Sequence, residues 1–299
     1  MTAATKKTEA LRAYGELCKV TISLFSACSA LTGFLLAGHE FRPEALVLVI
    51  GVFLLACGSS ALNQYQERNT DALMPRTERR PIPSGRILPS HALALCVMLV
   101  SLGLLTLLLT GRLVAPFLGL FAVLWYNGLY TMLKRKSAFA LIPGSLVGII
   151  PPAIGWVSAR GSFSDPGLIA LCFFFFLWQV PHFWLLILRH GKEYENAGLP
   201  SLSTVFTRTQ LVRIIFIWIF ATAVSCLFLS VSGLVRAPLI HYVLFGISLW
   251  LVAASVRLLR QAGDISSPSP SAFREINAFM FLVMFLAFLD TLLLQDIIR

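Results

Sequence analysis

Three oxygen-bearing side chains, Asn63, Glu67 and Asp71, recur at intervals of four residues. Because an α-helix turns by about 100° per residue, each step of four residues drifts by only about 40°, and all three side chains project from one helical stripe. Carboxylate and amide oxygens stacked on one face are the ligands that a hard cation such as Mg²⁺ requires. The spacing therefore predicts a magnesium site at the end of the apolar run that begins near Ala45.

Arginine residues follow this acidic stripe directly and flank a Pro-Ile-Pro-Ser-Gly turn at 81–85. Guanidinium groups bind phosphate oxygens through paired hydrogen bonds, so the cluster predicts a diphosphate site beside the metal. The alternative interpretation is a solvated cytoplasmic loop whose arginines only set the membrane topology. The arginines of the cluster are Arg68, Arg76, Arg79, Arg80 and Arg86.

A tyrosine and a lysine four residues apart, Tyr130 and Lys134, form a second candidate phosphate site. At this spacing the two side chains share one face of a helix, where a hydroxyl and an ammonium group can hold phosphate oxygens. The alternative is a tyrosine in the interfacial belt and a lysine that extends towards lipid headgroups. Lys134 opens a short basic run that continues with Arg135 and Lys136.

Polar residues also interrupt a phenylalanine-rich apolar run, which ends with Gln179, Pro181 and His182. Such residues are costly in lipid, so we expect them to face the interior of a helix bundle. His182 is interpreted as a ligand of a metal or haem iron, as a base, or as a hydrogen-bonding bridge between helices. Further along the chain, Glu193 adds a carboxylate to the next polar segment.

The composition shows which elements must position these residues. Hydrophobic residues make up 57% of the 299 residues and charged residues only 13%, about half the share that is usual in soluble domains. We expect an all-α polytopic membrane protein, with residues 1–299 forming a single intramembrane domain. Hydrophobic runs of sufficient length predict nine spans, at 17–37, 45–66, 91–110, 114–132, 138–158, 166–188, 211–232, 238–258 and 276–297.

The positive charges are distributed unevenly between the two sides of these spans. Of the 24 Lys and Arg residues, 19 fall on the side that includes the N-terminus and the connections 67–90 and 189–210, and 5 fall on the other side. This bias predicts a cytoplasmic N-terminus and an external C-terminus at Arg299. The charges are spread over short loops rather than gathered in a basic domain, which argues against nucleic-acid binding.

Five motifs, taken in chain order, resemble those of the intramembrane prenyltransferase superfamily, and most closely its haem-farnesylating branch. They lie at 14–19, 63–86, 130–135, 148–156 and 178–184. The second acidic motif departs from the pattern of the family: Glu193-Tyr194 stands in place of an Asp-Tyr pair, and Ala197 follows Glu193 at the four-residue spacing where the wider superfamily has Asp.

The resemblance implies a bundle of nine helices around a lipid-accessible cavity with a polar cap on the cytoplasmic side. It implies transfer of a farnesyl group from farnesyl diphosphate to a vinyl group of haem B, which gives haem O. Mg²⁺ would be held by Asn63, Glu67 and Asp71, with Glu193 as a candidate ligand of a second ion. The implied catalytic residues are Asn63, Glu67, Asp71, Tyr130 and Lys134, and the implied substrate-binding residues are Arg68, Arg76, Arg79, Arg80, Arg135, Trp178 and His182, with His182 on the haem side.

The implied surroundings are membrane lipid in a bacterial cytoplasmic (inner) membrane, with haem A synthase or terminal oxidase assembly proteins as partners. Two other functions fit the same residues. An enzyme that prenylates an aromatic quinone precursor would share the diphosphate half of the site. A transporter or lipid-binding scaffold fits less well. Transporter sites usually lie near the midplane of the membrane, whereas the acidic and basic residues of this chain are predicted at one membrane face.

Overall fold

The computed structural model describes residues 3–160, 162–260 and 270–298, and helices form nearly all of the regular structure in these ranges. No β-strand occurs among the described residues. In chain order the helices are α1 (Ala3–Leu17), α2 (Val20–Gly38), α3 (Glu44–Asp71), α4 (Pro89–Leu108), α5 (Val114–Leu133), α6 (Ala138–Ala159), α7 (Pro166–Asn196), α8 (Arg208–Val231), α9 (Pro238–Arg260) and α10 (Pro270–Ile298).

Nine helices of the described chain, α2 to α10, are long and apolar enough to cross a membrane. This confirms the nine spans that the hydrophobic runs predict. Two helices extend well beyond their predicted ends: α3 continues to Asp71 and α7 to Asn196. Polar residues can prolong a helix past the lipid, so the acidic stripe and Glu193 both lie on helical segments. Residues 261–269 of the last long connection and Arg299 lie outside the described residues.

A break at Lys19 separates α1 from α2, whereas the sequence predicts one span that begins at residue 17. Lys19 adopts a left-handed backbone conformation (φ 46°, ψ 52°), which costs of order 1–3 kcal/mol for a residue other than glycine. Leu17 on α1 is fully buried, in a cluster with Ala61 of α3 and Ala92 of α4. This packing holds α1 against the bundle, and the break directs Lys19 towards the interior.

Helices α2 and α6 approach each other closely because glycines line their contact. A methyl group added at Gly33 would lie 2.0 Å from the carbonyl oxygen of Pro152, and one added at Gly155 would lie 1.8 Å from that of Ala30. Small residues allow the backbones of membrane helices to come together in this way. Helix α6 also contains a 3₁₀ segment at Leu146–Ile149.

A cavity of about 1070 Å³ lies between α2, α3, α5, α6, α7 and α10. Its wall includes Ile22 of α2 and Phe281 of α10, and both apolar side chains are 62% exposed. Exposed apolar side chains on the cavity wall agree with the expected lipid-accessible cavity.

Candidate active site

The acidic stripe forms one wall of the cavity. Asn63, Glu67 and Asp71 all line it, and their exposed fractions are only 2%, 5% and 1%. Helix α3 carries all three without interruption up to its last residue, so the four-residue spacing gives the shared face that the sequence predicts. Three oxygen-bearing side chains thus meet at one end of the cavity, which we call the polar end.

Each carboxylate of the stripe is paired with a cation from another element. Arg80, in the loop after α3, donates from Nη1 to Oδ2 of Asp71 at 2.7 Å. Lys134, just beyond α5, forms an ion pair with Glu67 through its Nζ. Buried charges require such partners, since an unpaired charge in a low-dielectric interior is very costly. The acidic and the basic candidates therefore form one cluster.

Lys19 joins this cluster, although its sequence context predicts no role for it beyond a place in the 14–19 motif. Its Nζ lies on the cavity wall and donates to Oδ1 of Asn63 at 3.2 Å. Burial lowers the pKa of Lys19 to about 7, and the positive charges of Arg80 and Lys134 lower it further. An anion bound in the cavity would favour the charged form of this lysine.

Tyr130 and Lys134 both line the cavity, as their spacing predicts. Tyr130 is the last residue of a π-helical segment at Leu124–Tyr130, a form that often marks functional sites. The ring of Tyr130 stacks on that of Tyr126 at 5.7 Å, and the Lys134 ammonium lies 5.8 Å from the Tyr130 ring centroid. A methyl group at Gly144 would lie only 2.5 Å from Tyr130, so the glycine provides the space for this ring.

Three more of the candidate arginines lie at the polar end of the cavity. Arg76 donates from Nη2 to the hydroxyl of Tyr194 at 3.3 Å, which joins the loop after α3 to the end of α7. Arg135 donates to the carbonyl oxygen of Gln66 at 2.9 Å, and Arg79 is largely exposed to solvent. All three line the cavity, as does Tyr194, which the sequence analysis did not single out.

Two other candidates lie away from the cavity wall in the described structure. Arg68 donates to the carbonyl oxygen of Tyr65 at 2.7 Å, because one step beyond Glu67 turns it about 100° away from the stripe. Glu193 Oε1 lies 2.8 Å from Nδ1 of His190 on the same helix. Both residues therefore lie off the wall that Asn63, Glu67 and Asp71 form, and their roles in substrate and metal binding stay predictions.

The other end of the cavity is lined mainly by aromatic and aliphatic side chains, and we call it the apolar end. The His182 ring lies 4.9 Å from that of Trp178 and 5.0 Å from that of Phe273, measured between centroids. Trp178 donates its indole N–H to the carbonyl oxygen of Ile276 at 3.0 Å, so its polar atom bridges α7 and α10. Both candidates, Trp178 and His182, border the cavity.

The donor set at the polar end fits a magnesium ion that shares its coordination with a substrate. Among the described residues, no group of three or more His, Cys, Asp or Glu side chains forms a preformed metal cage. Mg²⁺ usually takes only one or two carboxylates from the protein, and phosphate oxygens and water complete its octahedron. Glu67 and Asp71, with the amide oxygen of Asn63, meet that requirement.

The combined arrangement suits a molecule with a highly charged head and an apolar tail. Its head would meet both carboxylates and cations at the polar end, and its tail would follow the apolar wall. Positioned cations in a cavity that excludes water stabilise negative charge that develops on a leaving group. The cavity can therefore promote the departure of an anionic group from an apolar molecule.

The profile of the UbiA prenyltransferase family matches residues 26–289 of the chain. The chain belongs to the UbiA prenyltransferase family. The matched range contains the acidic stripe, the loop arginines, Tyr130, Lys134 and His182, whereas Lys19 lies before it.

Relatives within this family align with nearly the whole chain. A protein named protoheme IX farnesyltransferase from Geobacter sulfurreducens is 40% identical over 250 residues, which cover 81% of this chain and 88% of the relative. A protein of the same name from Oleidesulfovibrio alaskensis is 33% identical over 288 residues, which cover 96% of this chain and 99% of the relative.

Solved structures of UbiA homologues share the fold at much lower identity. The apo structure of a homologue from Aeropyrum pernix K1 superposes with a TM-score of 0.75 and 18% identity, over 91% of this chain and 98% of that one. A homologue from Archaeoglobus fulgidus bound to GPP and Mg²⁺ gives a TM-score of 0.66 and 13% identity, over 93% and 99% of the two chains. These similarities concern the architecture of the helix bundle.

Proposed function

We propose that this UbiA-family protein transfers a farnesyl group from farnesyl diphosphate to a vinyl group of protoheme IX (haem B), which gives haem O. The observation that carries the proposal is one continuous cavity that joins a charged end, with paired carboxylates and cations, to an aromatic end. Its volume of about 1070 Å³ lies just above the range of about 300–1,000 Å³ for ligand pockets, which suits two large substrates. The names of the similar proteins support this choice of substrates.

Asn63, Glu67 and Asp71 would hold Mg²⁺ against the diphosphate of the farnesyl donor. The homologue from A. fulgidus with bound GPP and Mg²⁺ has this fold, which supports a metal-assisted diphosphate site here. When bound, the ion would supply positive charge that stabilises the departing diphosphate. The protein contributes the orientation of three oxygen donors on one rigid helix.

The cations of the polar end would bind the diphosphate oxygens directly. Arg80 and Lys134 already lie beside the carboxylates, so a diphosphate and its metal could share this network without exposing a buried charge. Charge-assisted hydrogen bonds of this kind are roughly twice as strong as neutral ones. The remaining donors that we assign to the diphosphate are Lys19, Arg76, Arg79, Tyr130 and Arg135.

The apolar end would hold haem and shelter the farnesyl cation from bulk water. Trp178 and His182 would border the porphyrin, while Phe25, stacked on Trp178 at 5.4 Å, adds an aromatic surface. We place the entry from the bilayer beside the exposed side chains of Ile22 and Phe281, where both apolar substrates would reach the cavity. Glu193 and Arg68 have no part in this assignment.

We further propose that the polar end faces the cytoplasm in a bacterial inner membrane. The excess of Lys and Arg on the side of the N-terminus and of the loop that carries Arg76–Arg86 supports that orientation. The whole chain, residues 1–299, would act as one intramembrane domain. Its product would pass to haem A synthase or to terminal oxidase assembly proteins.

The experiment that tests the function supplies membranes containing the protein with haem B, farnesyl diphosphate and Mg²⁺, followed by mass analysis of the extracted haems. We expect a haem heavier by a farnesyl group and a hydroxyl group, and its formation should stop when the metal is chelated. Membranes with the Asp71→Asn variant at equal expression are the control. Unmodified haem B with the wild-type protein would contradict the proposal.

A further inference from the structure

Three polar side chains interrupt the apolar end of the cavity. Gln179 and His182 lie one turn apart on α7, and Asn277 faces them from α10; all three line the cavity. Placing such groups in a membrane interior is costly, and they usually mark a functional site. Trp178 and Phe273 enclose the imidazole on two sides, so this polar group is held within an aromatic wall.

The reaction proposed above requires a proton acceptor at this end. The C1–O bond of farnesyl diphosphate breaks, and its electron pair leaves with the diphosphate. The vinyl π electrons then form a bond to C1, which leaves a positive charge on the vinyl carbon attached to the porphyrin ring. A water oxygen adds to that carbon, and one proton of that water must pass to a base. This inference therefore rests on the proposed function.

Among the described residues, His182 is the titratable group at the apolar end of the cavity. The other acidic and basic side chains of the wall come from the α1–α2 junction, the end of α3 and its loop, α5 and the end of α7. Those groups form the polar end, where Asp71 is paired with Arg80, Glu67 with Lys134 and Glu16 with Arg86. The described wall therefore offers no unpaired carboxylate at the apolar end.

The surroundings of His182 orient its ring. Nδ1 is enclosed and finds no hydrogen-bond partner among the described residues, and the ring lines the cavity. The Asn277 amide lies beside the ring, and its Nδ2 donates to the carbonyl oxygen of Phe273 at 2.6 Å. Gln179 lies over Gly148, where an added methyl group would come within 2.5 Å of its Oε1.

We propose that His182 accepts the proton of the water that adds to the vinyl-derived cation, and that Gln179 and Asn277 hold this water. The three side chains thereby determine that the haem product carries a hydroxyl group. Without the base, the same cation loses a proton from carbon and gives a dehydrated product. The cluster thus controls the outcome of the reaction after the carbon–carbon bond has formed.

The test measures the product rather than the rate alone. Wild-type protein and His182→Gln receive haem B, farnesyl diphosphate and Mg²⁺ in water enriched in heavy oxygen, and the extracted haems are separated by mass. We expect the heavy oxygen isotope in the hydroxyl group of the wild-type product. In the variant the rate of formation of the hydrated product should fall by about 10²-fold, at the lower end of the usual contribution of a general base, and the dehydrated fraction should rise. Farnesyl diphosphate affinity should stay unchanged, which also shows that the variant is folded.

Two further variants make the result decisive. Asn277→Leu should shift the product in the same direction. His190→Gln changes a histidine on the same helix but away from the cavity wall, and should leave the product ratio as in the wild type.

An unchanged ratio in both His182→Gln and Asn277→Leu would overturn the inference, and would assign the proton to the departing diphosphate. A shifted absorbance of bound haem with an unchanged ratio would instead identify His182 as an iron ligand. A wild-type protein that forms no farnesylated haem would contradict the proposed function itself.

Discussion

At the residue scale, the polar end of the cavity is a network in which acids and bases hold one another. Asp71 accepts from Arg80 at 2.7 Å, Glu67 pairs with Lys134, and Asn63 accepts from Lys19 at 3.2 Å. Each oxygen donor of the stripe therefore has a cation within reach before any substrate binds. Such a network is prepared for a ligand that carries both a divalent cation and a diphosphate.

Asp71→Asn is the most direct test of the metal site. The variant keeps the shape of the side chain and removes its charge, which a hard cation held by two carboxylates should not tolerate. We expect turnover to fall by at least about 10²-fold at normal expression, by comparison with the losses seen for more distant metal partners. Glu193→Gln is the matched control and should stay within a few-fold of wild type. Full activity of the Asp71 variant would remove it from the site.

A second pair of variants compares two arginines that the sequence does not distinguish. Arg80 lies on the cavity wall and Arg68 lies off it. Hydrogen bonds to charged groups contribute about 1.5–3 kcal/mol, so Arg80→Gln should lower kcat/KM by about 10- to 100-fold, while Arg68→Gln should have little effect. Steady-state kinetics with varied farnesyl diphosphate measures both. Equal losses in the two variants would contradict the assignment of Arg80, and not Arg68, to the diphosphate site on the cavity wall.

At the element scale, much of the site follows from the sequence because one helix carries it. Regular four-residue spacing on α3 was sufficient to predict a shared face for Asn63, Glu67 and Asp71. Lys19 was not predictable as a site residue, since its direction depends on a left-handed break between two helices. Glu193 lies off the cavity wall, because its direction depends on the rotation of α7, which the packing of the bundle sets.

The close contact of α2 and α6 gives a prediction about stability. Gly155→Ala would place a methyl group 1.8 Å from the Ala30 carbonyl oxygen, so the backbones must separate. Overpacking of this kind typically costs about 1–3 kcal/mol, and we expect a lower thermal unfolding temperature in detergent. Gly246→Ala on α9 is the control, because an added methyl group meets nothing within 4 Å there. Equal stability of the two variants would show that α2 and α6 are less closely packed.

For the whole molecule, the apolar runs predicted the architecture well, since nine helices of the described chain can cross a membrane. Hydrophobic length is a strong signal because every backbone polar group in lipid must be satisfied within a helix. The sequence could not predict where the cavity opens. That depends on how the helices pack around the cavity, whose wall includes side chains as distant in the chain as Ile22 and Phe281.

The orientation of the bundle is a separate prediction from the charge distribution. In a cysteine-free background, a cysteine at Ser84 should react with a membrane-impermeant thiol reagent in inverted vesicles and be protected in intact cells. Both Ser84 and Arg112 are exposed, and they belong to opposite sides of the predicted topology. Arg112→Cys should therefore show the reverse pattern. Labelling of the Ser84 position only from outside would place the polar end on the external face.

The measurement that tests the central claim most directly is a competition between acceptors. Purified protein receives farnesyl diphosphate and Mg²⁺ together with equal amounts of haem B and a hydroxybenzoate, and the masses of all products are recorded. The proposed function predicts farnesylated, hydrated haem and an unmodified hydroxybenzoate. A farnesylated aromatic ring with unmodified haem B would contradict it, and would assign the cavity to an aromatic acceptor.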